Sequence, residues 1–398
     1  MVNERAYALG SKRSAIRELF EYAKKRGEEI GAENVFDFSL GNPSVPAPQE
    51  VNAEICRLVN ETPSVALHGY TSAQGDKSVR DTIAKNLSAR FGCEMDGDLL
   101  YMTCGAAASL TIALRALTVE EGDEFLVFAP YFPEYKVFVE GVGAKLTVLS
   151  PDENLQPDVQ ALKKALNPRV RGIIVNSPNN PSGAVYTPEV LAQMAEVLRE
   201  VSEEFGAPIY WISDEPYREL VYDKAAKVAF APTIYEDTLV CYSYSKALSL
   251  PGERIGYIAV SPTCKEAAAV YAAVCGAGRQ LGYVCAPALF QRVAAACDGL
   301  TGDLSVYQKN RDLLYHGLTK LGFTCIYPDG AFYLFVKCPE PSAKAFCEKA
   351  KGQELLIVAG DDFGAEGYAR IAYCVDTARI ERAMPAFARL AAEYGLHG

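Results

Sequence analysis

A lysine is a poor occupant for the mouth of a buried sheet unless its amine has a task. The run Ser243-Tyr244-Ser245-Lys246 places one directly after an apolar, strand-like stretch, and Leu250-Pro251-Gly252-Glu253-Arg254-Ile255-Gly256 follows it. A carbonyl cofactor supplies a task, because a lysine amine condenses with it to a Schiff base. Ser243, Ser245 and Arg254 then read as phosphate ligands, Arg254 being able to bind two oxygens at once. A surface lysine and arginine on a loop would give the same letters.

Four further stretches carry chemistry. Asp214-Glu215-Pro216-Tyr217 follows the apolar run Ile209–Ser213. A carboxylate there can pair with a protonated pyridine nitrogen and keep the ring an electron sink. Tyr217 can donate to the ring's phenolate oxygen. A helix N-cap is the competing use of such an aspartate. Asn176-Ser177-Pro178-Asn179-Asn180-Pro181-Ser182-Gly183 also ends an apolar run. It is rich in turn formers, yet Asn180, held before a proline, suits a hydrogen bond to a ring oxygen. In Thr103-Cys104-Gly105-Ala106-Ala107-Ala108-Ser109 a strand turns through Gly105 into a helix of small residues. The free N–H groups and positive end of such a helix attract an anion. The spacing and lysine of a P-loop are missing, and tight packing is the other use of that glycine. Finally, Arg370 lies inside the apolar run Tyr368-Ala369-Arg370-Ile371-Ala372. A buried charge needs a partner. A substrate carboxylate, gripped fork to fork, and a structural Asp or Glu are both open.

Taken together, and in this order, the stretches resemble the fold-type-I pyridoxal-phosphate enzymes, and within them the class I/II aminotransferases of the aspartate aminotransferase superfamily. Leu40-Gly41-Asn42-Pro43, His68-Gly69-Tyr70 with Gly75, Ala129-Pro130-Tyr131-Phe132, Pro328-Asp329-Gly330-Ala331-Phe332 and Phe363-Gly364 complete the match, which runs from about Phe38 to Arg370.

The resemblance implies pyridoxal 5'-phosphate as cofactor, with Lys246 its covalent anchor. It implies Asp214 at the pyridine nitrogen, Asn180 and Tyr217 at the ring oxygen, and Phe132 stacked on the ring. The phosphate would meet the backbone amides of Ala106 and Ala107 after Gly105, together with Ser243, Ser245 and Arg254. Tyr70 would reach the phosphate of a neighbouring subunit, which makes a homodimer with shared active sites. Arg370 and Gly41 would bind the substrate's α-carboxylate. The implied reaction moves an α-amino group between an amino acid and a 2-oxo acid by ping-pong kinetics. Lys246 carries the α-proton as general acid–base, and an aspartate- or alanine-type donor is expected. A C–S β-lyase would use a similar cofactor cup. A non-catalytic aminotransferase-like regulator is a third reading, which the presence of Lys246 and Asp214 opposes.

The chain also departs from many relatives. Ala107 offers only a methyl where they carry a hydroxyl, amide or lysine, and Phe132 stands where some carry Trp or Tyr. Arg279 is the nearest candidate for a second substrate arginine, although a surface position at a helix end is the preferred reading for it.

The elements that must hold these residues are legible as short apolar runs at Leu99–Thr103, Glu124–Phe128, Lys145–Leu149, Gly172–Ser177, Ile209–Ser213, Thr238–Ser243 and Gly256–Val260. Helical stretches at Ala106–Leu117, Pro133–Val142, Pro157–Leu166 and Pro188–Phe205 separate most of them. Strands alternating with helices imply an α/β fold. The expectation is a three-layer α-β-α large domain around a mainly parallel sheet, with ligands beyond the strands' C-terminal ends. A helix is expected over Ser11–Gly31, a strand-like start at Phe38, one long helical run over Pro287–Leu321, strands at Phe323–Ile326, Phe332–Val336, Leu355–Val358 and Ala369–Cys374, and a last helix at Ala378–Tyr394. These make a smaller α+β domain from residues 1–49 together with 287–398, leaving 50–286 for the large cofactor-binding domain.

Composition narrows the partners. The 398 residues carry a net charge of −11, which gives no electrostatic case for nucleic acid or an anionic membrane. The 12 cysteines lie singly, from Cys56 to Cys374, and the three histidines are far apart in sequence, so neither a disulfide framework nor a metal site is expected. Met1–Leu9 lacks a basic stretch followed by an apolar one, and no run is long enough to span a bilayer. A cytoplasmic enzyme is the expectation.

Overall fold

The computed structural model describes residues 1–11, 15–223 and 228–397. Seven strands form the larger sheet: β1 Leu100–Thr103, β2 Glu124–Phe128, β3 Lys145–Leu149, β4 Val170–Asn176, β5 Tyr210–Asp214, β6 Thr238–Ser243 and β7 Gly256–Val260. Their order is β1-β7-β6-β5-β4-β2-β3. Strands β2 to β6 pair in parallel, and β7 runs antiparallel to both β6 and β1.

Both faces of this sheet are covered, as parallel strands require. In β6, Leu239 and Cys241 pack with the helices Ala106–Leu117 and Ala267–Gln280, while Val240 and Tyr242 pack on the other side with Lys77–Phe91. The two-residue alternation of a strand thus feeds two cores, and the three-layer α-β-α architecture follows. Local signals set the helix ends. The helix Pro188–Phe205 starts at Thr187, whose side chain accepts from the Val190 amide, has proline at its first position, and stops at Gly206 with φ 67°.

A smaller antiparallel sheet takes the order Val358–Ala359, Tyr368–Ala372, Tyr333–Lys337, Thr324–Ile326. It shares a core with the helices Leu304–Lys320, Ala343–Gly352 and Thr377–Glu393. The N-terminal segment adds Phe36 and Phe38 to that core, and Phe36–Asp37 pairs in parallel with Leu355–Leu356.

The helix expected over 11–31 is present over Ala15–Ile30, and the 12–14 stretch of that expectation lies outside the described residues. Two expectations need correction. The strand read over 355–358 is split between two sheets, because Leu355–Leu356 pairs with Phe36–Asp37 and Val358–Ala359 with Tyr368–Ala372. The long helical run after 287 is two helices, Ala288–Ala296 and Leu304–Lys320. Gly299 breaks it with φ 86°, and Asp303 caps the second helix by accepting from the Ser305 amide. The first of these helices buries Val293 and Ala294 beside Leu58 and Ile83 of the larger unit. We therefore propose that the division falls in the 297–303 connection rather than at 287.

Strands β4, β5 and β6 end at Asn176, Asp214 and Ser243, so the carboxyl edge of the sheet collects the residues singled out for chemistry. A buried ion pair braces this edge. Arg218 Nε lies 2.6 Å from Glu215 Oε2, with side chains only 2% and 4% exposed. Ser213 donates to Glu215 at 2.7 Å, and Arg218 donates to the Tyr257 hydroxyl at 3.0 Å while lying over the Tyr242 ring. Removing one partner strands a buried charge. Arg218→Met is expected to cost about 3–5 kcal/mol in urea unfolding, and adding Glu215→Gln should restore part of that loss. An equal loss in the single and double variants would refute the brace.

Candidate active site

A cavity of about 280 Å³ opens beyond the ends of β4, β5 and β6. Gly41, Ala106, Ala107, Phe132, Asn180, Asp214, Tyr217, Ser243, Ser245, Lys246, Arg254 and Arg370 all line it. Gly105 does not line the cavity but directly precedes the lining residue Ala106 as the cap of its helix. Two wider clefts, of about 740 and 560 Å³, run along the helix Leu304–Lys320 and beside Arg199 and Lys265. Ordinary surface side chains line both.

Lys246 sits in the short helix Tyr244–Ala247 that follows β6, and its Nζ donates to the Gly41 carbonyl at 2.7 Å. Burial pulls its pKa from the ordinary 10.5 to about 8; the Cys374 thiol opposes this, and Arg370 and Arg254 add to it. A useful fraction of neutral amine near neutral pH is the chemical result. An exposed loop lysine would not show it.

Asp214 closes β5. No helix begins there, so the capping role falls away. Its Oδ2 accepts from the Tyr135 hydroxyl at 2.5 Å, whereas its Oδ1 is buried without a hydrogen-bond partner among the described residues. Burial raises the pKa to about 7; the Tyr135 hydrogen bond pulls it down and the Glu215 charge pushes it up. Such an oxygen is a docking point for a cationic N–H. Asn176 couples the neighbouring loops: its Nδ2 donates to the Asp214 carbonyl at 2.9 Å, and its Oδ1 accepts from the Asn180 amide at 2.8 Å. Tyr217 is buried, with its hydroxyl 2.9 Å from that of Tyr333.

Three elements meet at the Ala106 end of the cavity. Ser243 and Ser245 place their hydroxyls 2.8 Å apart, and Arg254 donates to Ser245 at 3.3 Å and to the Pro251 carbonyl at 2.9 Å. Arg254 holds φ 51°, a left-handed conformation that a non-glycine residue adopts at a cost. Gly105 has φ 88°, and a Cβ there would stand 2.7 Å from Arg254 Nη2. The amides of Ala106 and Ala107 open the helix Ala106–Leu117, where no preceding turn supplies acceptors. Ala107 has no polar side chain to add, so only its backbone is available.

Arg370 faces the cavity from the smaller sheet, opposite Phe335 in the pairing register. Its Nη1 donates to Asn180 Oδ1 at 3.1 Å and its Nη2 to the Ser39 carbonyl at 2.5 Å, while Nε has no partner. No carboxylate among the described residues bonds to it. Burial lowers its pKa, with Tyr333, Tyr217 and Cys374 opposing. Of the two partners open at the sequence level, a structural acid is therefore absent.

Two expected residues stay outside. Tyr70 is 94% exposed and does not line the cavity, and Arg279 is an exposed residue near the end of the helix Ala267–Gln280. Sequence reasoning missed Tyr135, Tyr333 and the bridging role of Asn176. Tyr333 was within reach, since it directly follows the quoted run ending at Phe332 and opens a strand.

Comparison with known proteins fits this geometry. Residues 33–387 match the family model of class I and II aminotransferases. A probable aspartate aminotransferase of Methanocaldococcus jannaschii is 29% identical over 94% of this chain and 96% of its own length. The aspartate/prephenate aminotransferase of Thermus thermophilus is 30% identical over 88% of this chain and 90% of its own. The crystal structure of an aminotransferase from Eubacterium rectale superposes with a TM-score of 0.97 at 57% identity, covering 99% of both chains. The chain belongs to the class I and II aminotransferases, a family of pyridoxal-phosphate-dependent transaminases that act on amino acids and 2-oxo acids.

The lysine can be tested before any substrate is known. Only a neutral amine attacks a carbonyl, so borohydride trapping of an aldehyde on the cofactor-free protein should rise with pH through about 8 and level off above it. Lys246→Ala should abolish that phase. A rise centred near the ordinary lysine value would contradict the buried amine.

Proposed function

We propose that this cavity holds pyridoxal 5'-phosphate and carries out transamination with an aspartate- or alanine-type donor. One observation carries the reading: Lys246, Asp214 and Arg370 share one cavity, and none is neutralised by an acid or base among the described residues. The residues fit the cofactor. Asp214 Oδ1 lacks, among the described residues, a donor of the kind a pyridinium N–H provides, and glycine at 105 lets the Arg254 guanidinium lie against the start of the helix Ala106–Leu117, where a Cβ would collide with it. Ser243, Ser245, Arg254 and the amides of Ala106 and Ala107 would hold that phosphate. Tyr217 and Asn180 would donate to the ring oxygen, and Phe132 would cover a ring face.

When bound, the cofactor supplies a carbonyl for amine exchange and a ring that delocalises the electron pair left at the substrate's Cα. The chain's own residues do the rest. Arg370 grips the α-carboxylate with its fork, and the Gly41 backbone borders the same place. This orients the Cα–H bond for the Lys246 amine. Lys246 would take the proton at Cα and hold it for return, with a pKa suited to both directions near neutral pH. Asp214 keeps its charge against the pyridinium nitrogen.

A homodimer is part of the proposal. Tyr70, Val65 and Val284 are 94%, 88% and 60% exposed, a large apolar display for one chain. Arg292 and Gln291 hold the 66–71 segment against the helix Ala288–Ala296, so Tyr70 projects from a fixed base. A second copy would cover it and receive it at the phosphate. We also place the enzyme in the cytoplasm. All twelve cysteines are free thiols, which supports this, and no helix among the described residues is long and apolar enough to cross a membrane.

The deciding experiment is the absorbance spectrum of protein loaded with pyridoxal phosphate, taken before and after a panel of amino acids. A cofactor band that shifts with the donor and returns with a 2-oxo acid is expected. Absence of any band would sink the proposal, and ammonia with pyruvate released from a cysteine conjugate would point to the lyase instead. Asp214→Asn gives a second check. The folded pKa of Asp214, about 7, lies above its ordinary value of 3.8, so stability is lost as pH rises from that value to about 7 and the loss is complete above it. The cofactor-free variant should therefore melt at or above the parent's temperature at pH 8. Its retention of cofactor should nonetheless fall by about tenfold to a hundredfold.

A further inference from the structure

Tyr333 stands between two groups that the proposed reaction uses. Its hydroxyl is 2.9 Å from the Tyr217 hydroxyl, and the Arg370 guanidinium lies over its ring, 4.7 Å from the centroid. The side chain is buried yet lines the cavity. A Cβ on Gly41 would run into its hydroxyl, so Tyr333 also sets how closely the backbone that accepts from Lys246 can approach.

The hydrogen-bond arithmetic gives Tyr333 a direction. Each phenol has one proton. If Tyr217 spends its proton on a ring oxygen of the cofactor, its own oxygen must accept, and Tyr333 is the donor within reach. Burial holds that proton on Tyr333, whose pKa is pushed up to about 12. A donor feeding a donor polarises the second, which strengthens its bond to an anionic oxygen. The ring has a separate job. Arg370 has no acid partner among the described residues, and the aromatic faces of Tyr333 and Phe363, with centroids at 4.7 and 4.9 Å, hold its plane.

We propose that Tyr333 is a positioning residue that joins the carboxylate-binding arginine to the ring-oxygen tyrosine, its hydroxyl serving Tyr217 and its ring face serving Arg370. This rests on the cofactor reading above. The two roles sit on different parts of one side chain, so two substitutions separate them.

The test uses the parent, Tyr333→Phe and Tyr333→Leu, each loaded with pyridoxal phosphate. The pH midpoint of the cofactor's visible absorbance and the KM for the amino donor are read for all three. A hydrogen bond to the ring oxygen makes it less basic, so the proton it shares with the lysine-linked nitrogen leaves at lower pH. Losing the Tyr333 hydroxyl should move the midpoint up by about half a unit or more, because Tyr217 then donates less strongly. KM for Tyr333→Phe should stay within about twofold of the parent, since the face under Arg370 remains. Tyr333→Leu should show the same midpoint shift and raise KM by about tenfold. The phenylalanine variant keeps the buried ring and hence the packing. A parent with a cofactor band beside a phenylalanine variant of unchanged midpoint would overturn the role of the hydroxyl. Equal KM in the two variants would overturn that of the ring. A parent with no band would instead defeat the cofactor reading, and this inference with it.

Discussion

Asp214 sits at the end of a strand buried from Trp211 onward, with one carboxylate oxygen held by Tyr135 and the other left without a donor among the described residues. In a protein interior that arrangement is unfavourable, because a desolvated carboxylate either finds a cation or takes up a proton. The surrounding structure prevents relaxation. Asn176 pins the Asp214 carbonyl, and the Glu215–Arg218 pair anchors the next turn beneath Tyr257. A flexible loop would simply turn the side chain to water. The strain is thus maintained by packing, and a ligand that brings a positive N–H relieves it.

The parallel sheet explains why the other groups are so close. Adjacent strands β4, β5 and β6 are in register, with Asn176 beside Asp214 and Asp214 beside Cys241, two residues before Ser243. Their loops therefore leave the sheet at one edge. Residues separated by dozens of positions in the chain, such as Asn180, Asp214 and Lys246, meet without any long-range adjustment. The smaller sheet then contributes Arg370 from across the cleft, so the cavity is complete only when both packed units are in place.

Much of this was legible in the sequence. The apolar runs that became β2, β3, β6 and β7 have the observed bounds, because β-branched and aromatic residues flanked by turn formers leave little choice. Lys246, Asp214 and Arg370 stood out because a charge at the end of, or inside, an apolar run is costly. What could not be read is the set of tertiary partners. Tyr135 and Tyr333 look like ordinary core aromatics, and their hydroxyls acquire meaning only when chain folding brings Asp214 and Tyr217 to them. The break at 297–303 escaped for a related reason. Apolar spacing continues on both sides of Gly299, and only the two cores show that the faces point to different units.

The electrostatics of the site run against those of the chain. A net charge of −11 should repel the anions that this cavity is proposed to take. Screening resolves the conflict. At physiological ionic strength, exposed charges lose most of their influence beyond about 8 Å, whereas buried groups are screened much less. Inside the cleft, Lys246, Arg254 and Arg370 outnumber Asp214 among the ionisable residues that line it. The local field is positive where a phosphate and a carboxylate would sit, against the net negative charge of the chain as a whole. Selectivity for the proposed small anions would therefore come from depth: an anion would have to enter the cavity, and shed its water, before meeting charges that favour it.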